Sequence, residues 1–165
     1  GIGVLPLREL LNPQRLLIIV WVGTVLSLAA VMTESGAGEL VSNALAELAG
    51  VEGRSPFYGY FAMAYLSSVI ATLATFGGGI PIAAATAAEV SAATGLPLET
   101  AVMALAPGMS AMFFPYIASP IVVGLAMGRV SQRAAIPFMV TLALLTWVLV
   151  IPLNGLWWWL IGVLP

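Results

Sequence analysis

The sequence predicts an all-α integral membrane protein. Of its 165 residues, 61% are hydrophobic and 7% are charged, whereas ordinary soluble domains carry roughly 25% charged residues. Five basic and seven acidic side chains are too few to cover the surface of a water-soluble domain of this size. The charges also fall in short clusters between long uncharged stretches, and a bilayer core about 30 Å thick requires about 20 helical residues to cross it.

The composition also disfavours several classes of function. All charged residues are Glu or Arg, and Lys, Asp, His and Cys are absent. Without His or Cys the usual haem, zinc and iron-sulfur sites cannot be built, and without Lys or Asp there is no Schiff base and no Ser-His-Asp relay. We therefore expect no enzyme activity and no cofactor; an enzyme working through glutamates is the least favoured alternative. A net charge of −2 argues against a nucleic-acid partner.

The first third of the chain predicts three elements. Residues 1–15 form an amino-terminal segment without a signal-peptide pattern, and because the chain begins with Gly1 we expect it to be a piece of a longer protein. Residues 16–33 are uncharged, and about 18 helical residues reach about 27 Å, enough for one transmembrane helix. Residues 34–54 predict an amphipathic connector helix along the membrane surface. A soluble loop helix is the alternative.

The amphipathic prediction for the connector depends on two sets of side chains at helical spacing. One set is apolar and the other polar, and we expect them to face opposite ways. The apolar set is Leu40, Val41, Ala44, Leu45 and Leu48, and the polar set is Glu39, Ser42, Asn43 and Glu47.

Residues 55–95 predict a re-entrant helical hairpin with its tip at about 72–81. This stretch is too long for one straight crossing, and its middle contains three consecutive glycines and Pro81. Arginine bias places the stretch with both ends outside, which either two crossings or one re-entrant hairpin satisfies. Length decides between them, because the 80–93 segment gives only about 21 Å of helix, short of a full span.

The remainder predicts a broken transmembrane helix at 96–128, a cytoplasmic loop at 129–133 and a final transmembrane helix at 134–165. Two prolines, Pro115 and Pro120, interrupt the first of these helices because each removes an amide donor. The last helix ends in a tryptophan cluster, which favours the headgroup level of a bilayer. The arginines of the loop and of residues 1–15 place both on the cytoplasmic side.

The two interruptions are the candidate binding site. Non-helical backbone is tolerated at membrane depth only where protein or an aqueous cavity satisfies its peptide groups. Glycine amides, threonine hydroxyls and a helix amino end can bind an anion's carboxylate, and freed carbonyls with a serine hydroxyl can bind a cation. A single kink that serves only helix packing is the competing interpretation. The predicted substrate-binding residues are Thr72, Thr75, Gly77, Gly78, Gly79, Ser119 and Pro120, and a sodium ion is expected near Thr72, Ala118 and Ser119.

Four segments carry a family resemblance: ATLATFGGGIP at 71–81, PYIASP at 115–120, GLAMGRVS at 124–131 and LWWWLIG at 156–162. The first two are similar to a Ser-Asn-Thr type motif and to a Thr-Pro-Pro or Gly-Thr-Gly-Pro type motif of one transporter family. The last two are similar to the Gly-Tyr-Val-Ser segment of some of its members and to the Trp-Trp-Lys-containing ending of its carboxylate members. With the order of elements, they resemble the carboxyl-terminal half of the divalent anion/sodium symporter family of the ion transporter superfamily. Ala71, Ala118 and Trp159 differ from the residues which that family keeps.

The resemblance implies one repeat of an inverted-repeat secondary transporter, with the amino-terminal repeat on sequence outside this chain. It implies elevator-type transport of di- or tricarboxylates or sulfate, coupled to sodium or protons, by a homodimer in a prokaryotic inner (plasma) membrane. The alternative is a non-transporting membrane subunit that packs in a larger complex through its Gly and Ala faces. Aqueous access to residues 72–79 distinguishes the two.

Overall fold

The computed structural model describes residues 34–164 together with residues 20, 24, 27 and 31; the side chain of Ser119 lies outside the described part. The segment 1–15 and most of the predicted helix 16–33 also lie outside it. The described part is helical and contains no β-strand. Its helices are α1 (Ala37–Leu48), α2 (Pro56–Thr94), α3 (Leu98–Met103), α4 (Leu105–Met109), α5 (Ser119–Met127), α6 (Gln132–Leu145) and α7 (Ile151–Leu160), with a 3-10 turn at Pro115–Ile117 and a π-helix at Thr146–Val150.

Two helical segments are long and apolar enough to cross a membrane, Pro56–Thr94 and Gln132–Leu160. The all-helical class and its apolar spans therefore agree with the sequence prediction. The second segment consists of α6, the π-helix and α7, which form one continuous helix. Most of its large apolar side chains are exposed on the isolated chain, as on a helix that faces lipid.

Helix α2 is a helical hairpin. Thr75 alone has a non-helical backbone, with φ 60° and ψ 174°, and it divides the helix into a first arm (56–74) and a second arm (76–94). The ends of the two arms meet, because a Cβ at Gly59 would overlap the Thr94 hydroxyl. Near the bend, a Cβ at Gly79 would lie 3.3 Å from Cγ2 of Ile70. The arms are therefore antiparallel along their length.

The glycine run lies inside the second arm rather than in the turn. Residues 77–81 are helical, so each arm contains about 19 residues and reaches about 28 Å. The length argument for a re-entrant hairpin is therefore wrong, since the second arm is long enough for a near-complete crossing. The sequence reasoning missed this because it assumed that Gly and Pro at 77–81 end the helix, whereas Pro81 is accommodated within the arm.

Helix α1 packs against α2. Its surface has three faces instead of the two predicted: a buried inner face, an exposed polar stripe and an exposed apolar stripe. Ser42 is buried at 1% exposure although it was expected on the outer side, whereas Leu40 and Leu48 are 74% and 84% exposed. The prediction that Ser42 lies on the outer polar side is therefore wrong, whereas the two leucines are not covered by the described residues. The inner face uses small residues because α1 lies close to the hairpin, where Ala46 and Ala49 reach its core. A separate apolar stripe therefore remains uncovered beside the polar stripe.

The core lies between the arms of α2 and the helices that pack on them. It contains large side chains from the first arm, small ones from the second, and residues of α3, α4 and α7. Close approach depends on Gly108 of α4, where a Cβ would overlap the Ala64 carbonyl oxygen and the Ser67 hydroxyl. Gly155 of α7 similarly accommodates the ring of Tyr60, 2.7 Å from the position of a Cβ.

Candidate functional site

The first part of the candidate site is the bend at Thr75. The amides that begin the second arm have no helical acceptor within that arm and carry partial positive charge, whereas the carbonyls that end the first arm carry partial negative charge at the same bend. The predicted residues Thr72, Thr75, Gly77 and Gly78 are partly buried, and Gly79 is buried. The Thr72 hydroxyl donates to the Ser68 carbonyl at 2.8 Å, which leaves its oxygen free to accept.

The second part is a long interruption of the helical chain at residues 110–118, between α4 and α5. The backbone is extended at Phe114 and again at Ala118, on either side of the 3-10 turn. The Ala118 carbonyl accepts from the amides of Ile121 and Val122 at 3.0 and 3.4 Å, so this predicted cation ligand already begins α5. Pro120 is exposed in the first turn of α5.

The two parts are in contact. The Tyr116 hydroxyl, on the 3-10 turn, donates to the Thr72 carbonyl at 3.0 Å, and the Ser68 hydroxyl donates to the Ala111 carbonyl at 3.5 Å. The ring of Tyr116 also stacks on that of Phe114, with 5.6 Å between centroids. The reversal and the long interruption therefore form one unit.

The final helix joins this unit through Trp147 of the π-helix. Its indole nitrogen donates to the Ser68 hydroxyl at 2.9 Å, and its ring meets Phe113 edge-on at 5.2 Å. The Tyr65 hydroxyl donates to its carbonyl at 2.9 Å. That carbonyl lacks a donor from its own helix, because the π-helical register pairs it with Pro152, which has no amide hydrogen.

The sequence reasoning missed Tyr116, Ser68 and Trp147 as members of this unit. A tyrosine next to a proline break is a weak signal on its own. The usable signal was Pro152, since a proline within a helix leaves a carbonyl that another group must satisfy.

Two cavities lie outside the predicted site residues. One of about 380 Å³, between α1, the loop after it and the second arm, is lined by Asn43, Glu47, Glu52 and Glu89 among others. The other, of about 310 Å³, is an apolar groove between α5 and α6 that reaches Ser110 and Met112 of the long interruption. Neither cavity is lined by the residues at 72–79 or at 118–120.

The buried polar side chains of the described residues all have hydrogen-bond partners. In the unit around Thr72, the buried polar side chains therefore bond to other groups of the chain. The backbone groups of the unit are the amides that follow Thr75 and the carbonyls of the long interruption, of which those of Ala111, Phe114 and Ala118 accept hydrogen bonds from the chain itself.

Comparisons of the chain with protein-family models, with curated proteins and with solved structures find no match.

Proposed function

We propose that this chain is part of a secondary active transporter (permease) of small anions such as di- or tricarboxylates or sulfate. The supporting observation is the contact between the two interrupted helical stretches, made by the Tyr116 hydroxyl and the Thr72 carbonyl at 3.0 Å. Interrupted helices that meet within a membrane are the arrangement by which secondary transporters bind an anion at a helix amino end and a cation at freed carbonyls.

In this proposal the substrate's negative group binds the amides that follow Thr75. The residue types suit this role because Gly77 and Gly78 carry no side chain over the backbone, and because the second arm directs its positive end to the same place. Sodium or a proton is the coupling ion, with sodium held near Thr72, Ala118 and Ser119. The finer architecture belongs to the proposal as well. It comprises a re-entrant hairpin entered from outside, which rests on the family resemblance and not on arm length, an amino-terminal inverted repeat elsewhere in the protein, a homodimer, and a prokaryotic inner membrane.

Uptake of labelled succinate, citrate or sulfate into proteoliposomes that contain the complete protein tests this function. Gly78→Leu is the informative variant, because a Cβ at Gly78 meets only Ala74, at 3.9 Å, yet a leucine covers the amides. Gly124→Leu is the matched control, since a Cβ there meets nothing within 4 Å. We expect Gly78→Leu to reduce uptake at least tenfold and the control to retain it. Equal uptake by both variants would exclude the bend as the anion site.

A non-transporting subunit is the second candidate, favoured by the satisfied hydrogen bonds of the buried polar side chains in the described part. This chain has no cysteine, so it adds no background to the labelling of single-cysteine variants at 72–79. A transporter exposes these positions to a water-soluble maleimide, and a labelling rate that falls when substrate is added supports transport. Complete protection in the assembled membrane supports a packing role instead.

A further inference from the structure

One carbonyl of the π-helix has two alternative hydrogen-bond donors. In this structure the Ile151 amide donates to the Thr146 carbonyl, five residues earlier. The Trp147 carbonyl has no amide donor in that register, and it accepts from the Tyr65 hydroxyl at 2.9 Å instead. In an α-helical register the Ile151 amide would donate to the Trp147 carbonyl, four residues earlier. The Tyr65 hydroxyl and the Ile151 amide are therefore donors to the same carbonyl in two different registers.

The register of this segment depends on a contact from another helix. An isolated π turn inside an α-helix is rare and is found mostly at functional sites. Tyr65 lies on the first arm of α2, 82 positions before Trp147. Since each register satisfies the Trp147 carbonyl, neither is excluded by an unpaired buried acceptor. The choice between them therefore depends on whether the tyrosine hydroxyl is bound.

The register also determines where the side chain of Trp147 lies. Its indole nitrogen donates to the Ser68 hydroxyl at 2.9 Å, and that hydroxyl donates to the Ala111 carbonyl at 3.5 Å. Its ring meets Phe113 edge-on at 5.2 Å. A change to the α register moves Trp147 by one residue position, which is about 100° around the helix axis and about 1.5 Å along it. Such a movement breaks these contacts with the long interruption.

The described residues hold the two halves of the final segment to different degrees. Helix α7 is attached to the first arm, because the Tyr60 hydroxyl donates to Oδ1 of Asn154 at 2.8 Å and the ring of Trp158 lies 5.2 Å from that of Tyr60. In α6, the residues that the described part of the chain buries are Met139 and Ala143. A change of register therefore moves Trp147 and α6 rather than α7.

We propose that Tyr65 is the positioning residue of a register switch in the final helical segment. With the Tyr65 hydroxyl on the Trp147 carbonyl, the segment contains the π-helix and Trp147 holds the long interruption. With the Ile151 amide on that carbonyl, the segment is α-helical throughout, α6 is turned, and the interruption loses its contacts with Trp147. The switch itself does not depend on transport. Its use, to loosen and tighten the site at the two interruptions, rests on the proposed function.

Distances between pairs of spin labels on the full chain in detergent test the register. This chain has no cysteine, so cysteine pairs at 98 and 142 and at 98 and 144 can be labelled specifically. Leu98, Leu142 and Leu144 are all exposed. The last two lie about 200° apart around α6, so a rotation of α6 changes their distances to position 98 in opposite directions. A label about 5 Å from the helix axis moves about 8 Å in a rotation of about 100°.

Tyr65→Phe is the informative variant, because it retains the ring beside Trp147 and removes the donor. We expect one distance population for each pair in the wild type. In Tyr65→Phe we expect a second population at both pairs, at a longer distance for one pair and at a shorter distance for the other.

Two matched controls separate the register from a general loss of contacts. Ser68→Ala removes the partner of the indole but leaves the Trp147 carbonyl bonded to Tyr65. Tyr60→Phe removes a buried hydroxyl of the same arm that bonds to α7 instead. Both controls should retain the single population of the wild type.

Three outcomes overturn the proposal. The first is unchanged distances in Tyr65→Phe. The second is a shift in the same direction at both pairs, which indicates a tilt of α6 without a change of register. The third is a second population in Ser68→Ala as large as that in Tyr65→Phe, which would show that the indole contact sets the register.

The use of the switch in transport has a separate test. Citrate or sulfate added to Tyr65→Phe should change the ratio of the two populations. If the complete protein takes up these anions and the ratio does not change, the link to transport is excluded while the register switch stands. If the protein takes up none of them, the proposed function fails and the distance measurements still decide the register.

Discussion

The two interruptions of the helical chain are built differently. The reversal at Thr75 uses one residue with a positive φ, and small residues on both sides allow the arms to meet. The long interruption covers residues 110–118 and is attached to the rest by side chains that hydrogen-bond to carbonyls. A one-residue turn between two helices leaves few peptide groups without a helical hydrogen bond, whereas an extended stretch leaves many.

This difference explains why the same residue types lie within a helix at one interruption and beside extended backbone at the other. Glycine and proline occur at both places, but Gly77 to Gly79 and Pro81 are helical. Pro115 and Pro120, five residues apart, each begin a helical turn directly beyond extended backbone, at Phe114 and Ala118. Two close prolines remove more helical hydrogen bonds than a single proline early in an arm, and the break follows from that loss.

The largest effect is expected at Gly108, where α4 enters the long interruption. Gly108→Leu places a side chain into the Ala64 carbonyl and the Ser67 hydroxyl, so α4 must move away from the first arm. Overpacking of this kind costs about 3 kcal/mol or more, and thermal unfolding in detergent should show it. Gly124→Ala is the control, and its helical position without neighbours predicts a small gain in stability. A tolerated Gly108→Leu would show that the interruption is not anchored through α4.

The second-largest effect is expected where a side-chain hydrogen bond attaches the final helical segment to the first arm of α2. Tyr65→Phe leaves the Trp147 carbonyl without the hydroxyl that satisfies it at 2.9 Å, and an unsatisfied buried acceptor costs about 1–3 kcal/mol. Tyr58→Phe is the control, because its hydroxyl bonds the Ala49 carbonyl at an exposed site where water can replace it. If both variants lose the same stability, the π-helical carbonyl has another donor.

The position of the breaks could be predicted from sequence, but their internal structure could not. Runs of Gly and Pro in uncharged stretches indicated the regions around Thr75 and Pro115, and both contain non-helical residues. Which single residue reverses the chain depends on how the arms pack, for example on Gly59 against Thr94. Such a contact joins residues far apart in sequence, so local patterns contain no trace of it.

The candidate site shows the same limit. Glycine and proline predict where backbone groups lack helical hydrogen bonds. The side chains that connect the two breaks, Tyr116 and Trp147, could not be predicted, because the sequence shows only that they are aromatic. Helix α1 gives a further example, because its pattern predicted two faces and a third appears only when Ser42 packs inward. Local periodicity indicates that a face exists, and tertiary packing decides what covers it.

The third effect concerns the reversal itself. Thr75→Gly should stabilise the protein by about 1 kcal/mol, since a β-branched residue at φ 60° is strained and glycine is not. Thr72→Gly, one turn earlier in regular helix, should destabilise it by about 0.5–1 kcal/mol. Opposite signs in thermal unfolding at positions three residues apart would confirm that a single residue makes the turn. Equal losses would instead indicate a broader loop.

The smallest effect lies at the junction of the two interruptions. Tyr116→Phe removes the donor to the Thr72 carbonyl but retains the ring that stacks on Phe114. Because Tyr116 is 51% exposed, water can replace the hydroxyl, and we expect a loss of only about 0.5 kcal/mol in stability. The effect of Tyr116→Phe on cysteine labelling should be larger than its effect on stability. If the hydrogen bond between Tyr116 and the Thr72 carbonyl fixes the distance between the interruptions, single cysteines at 77 and 78 should react faster with a water-soluble maleimide when they are combined with Tyr116→Phe. Unchanged labelling rates would mean that each interruption holds its shape alone, and a shared anion and cation site would then lose its main geometric support.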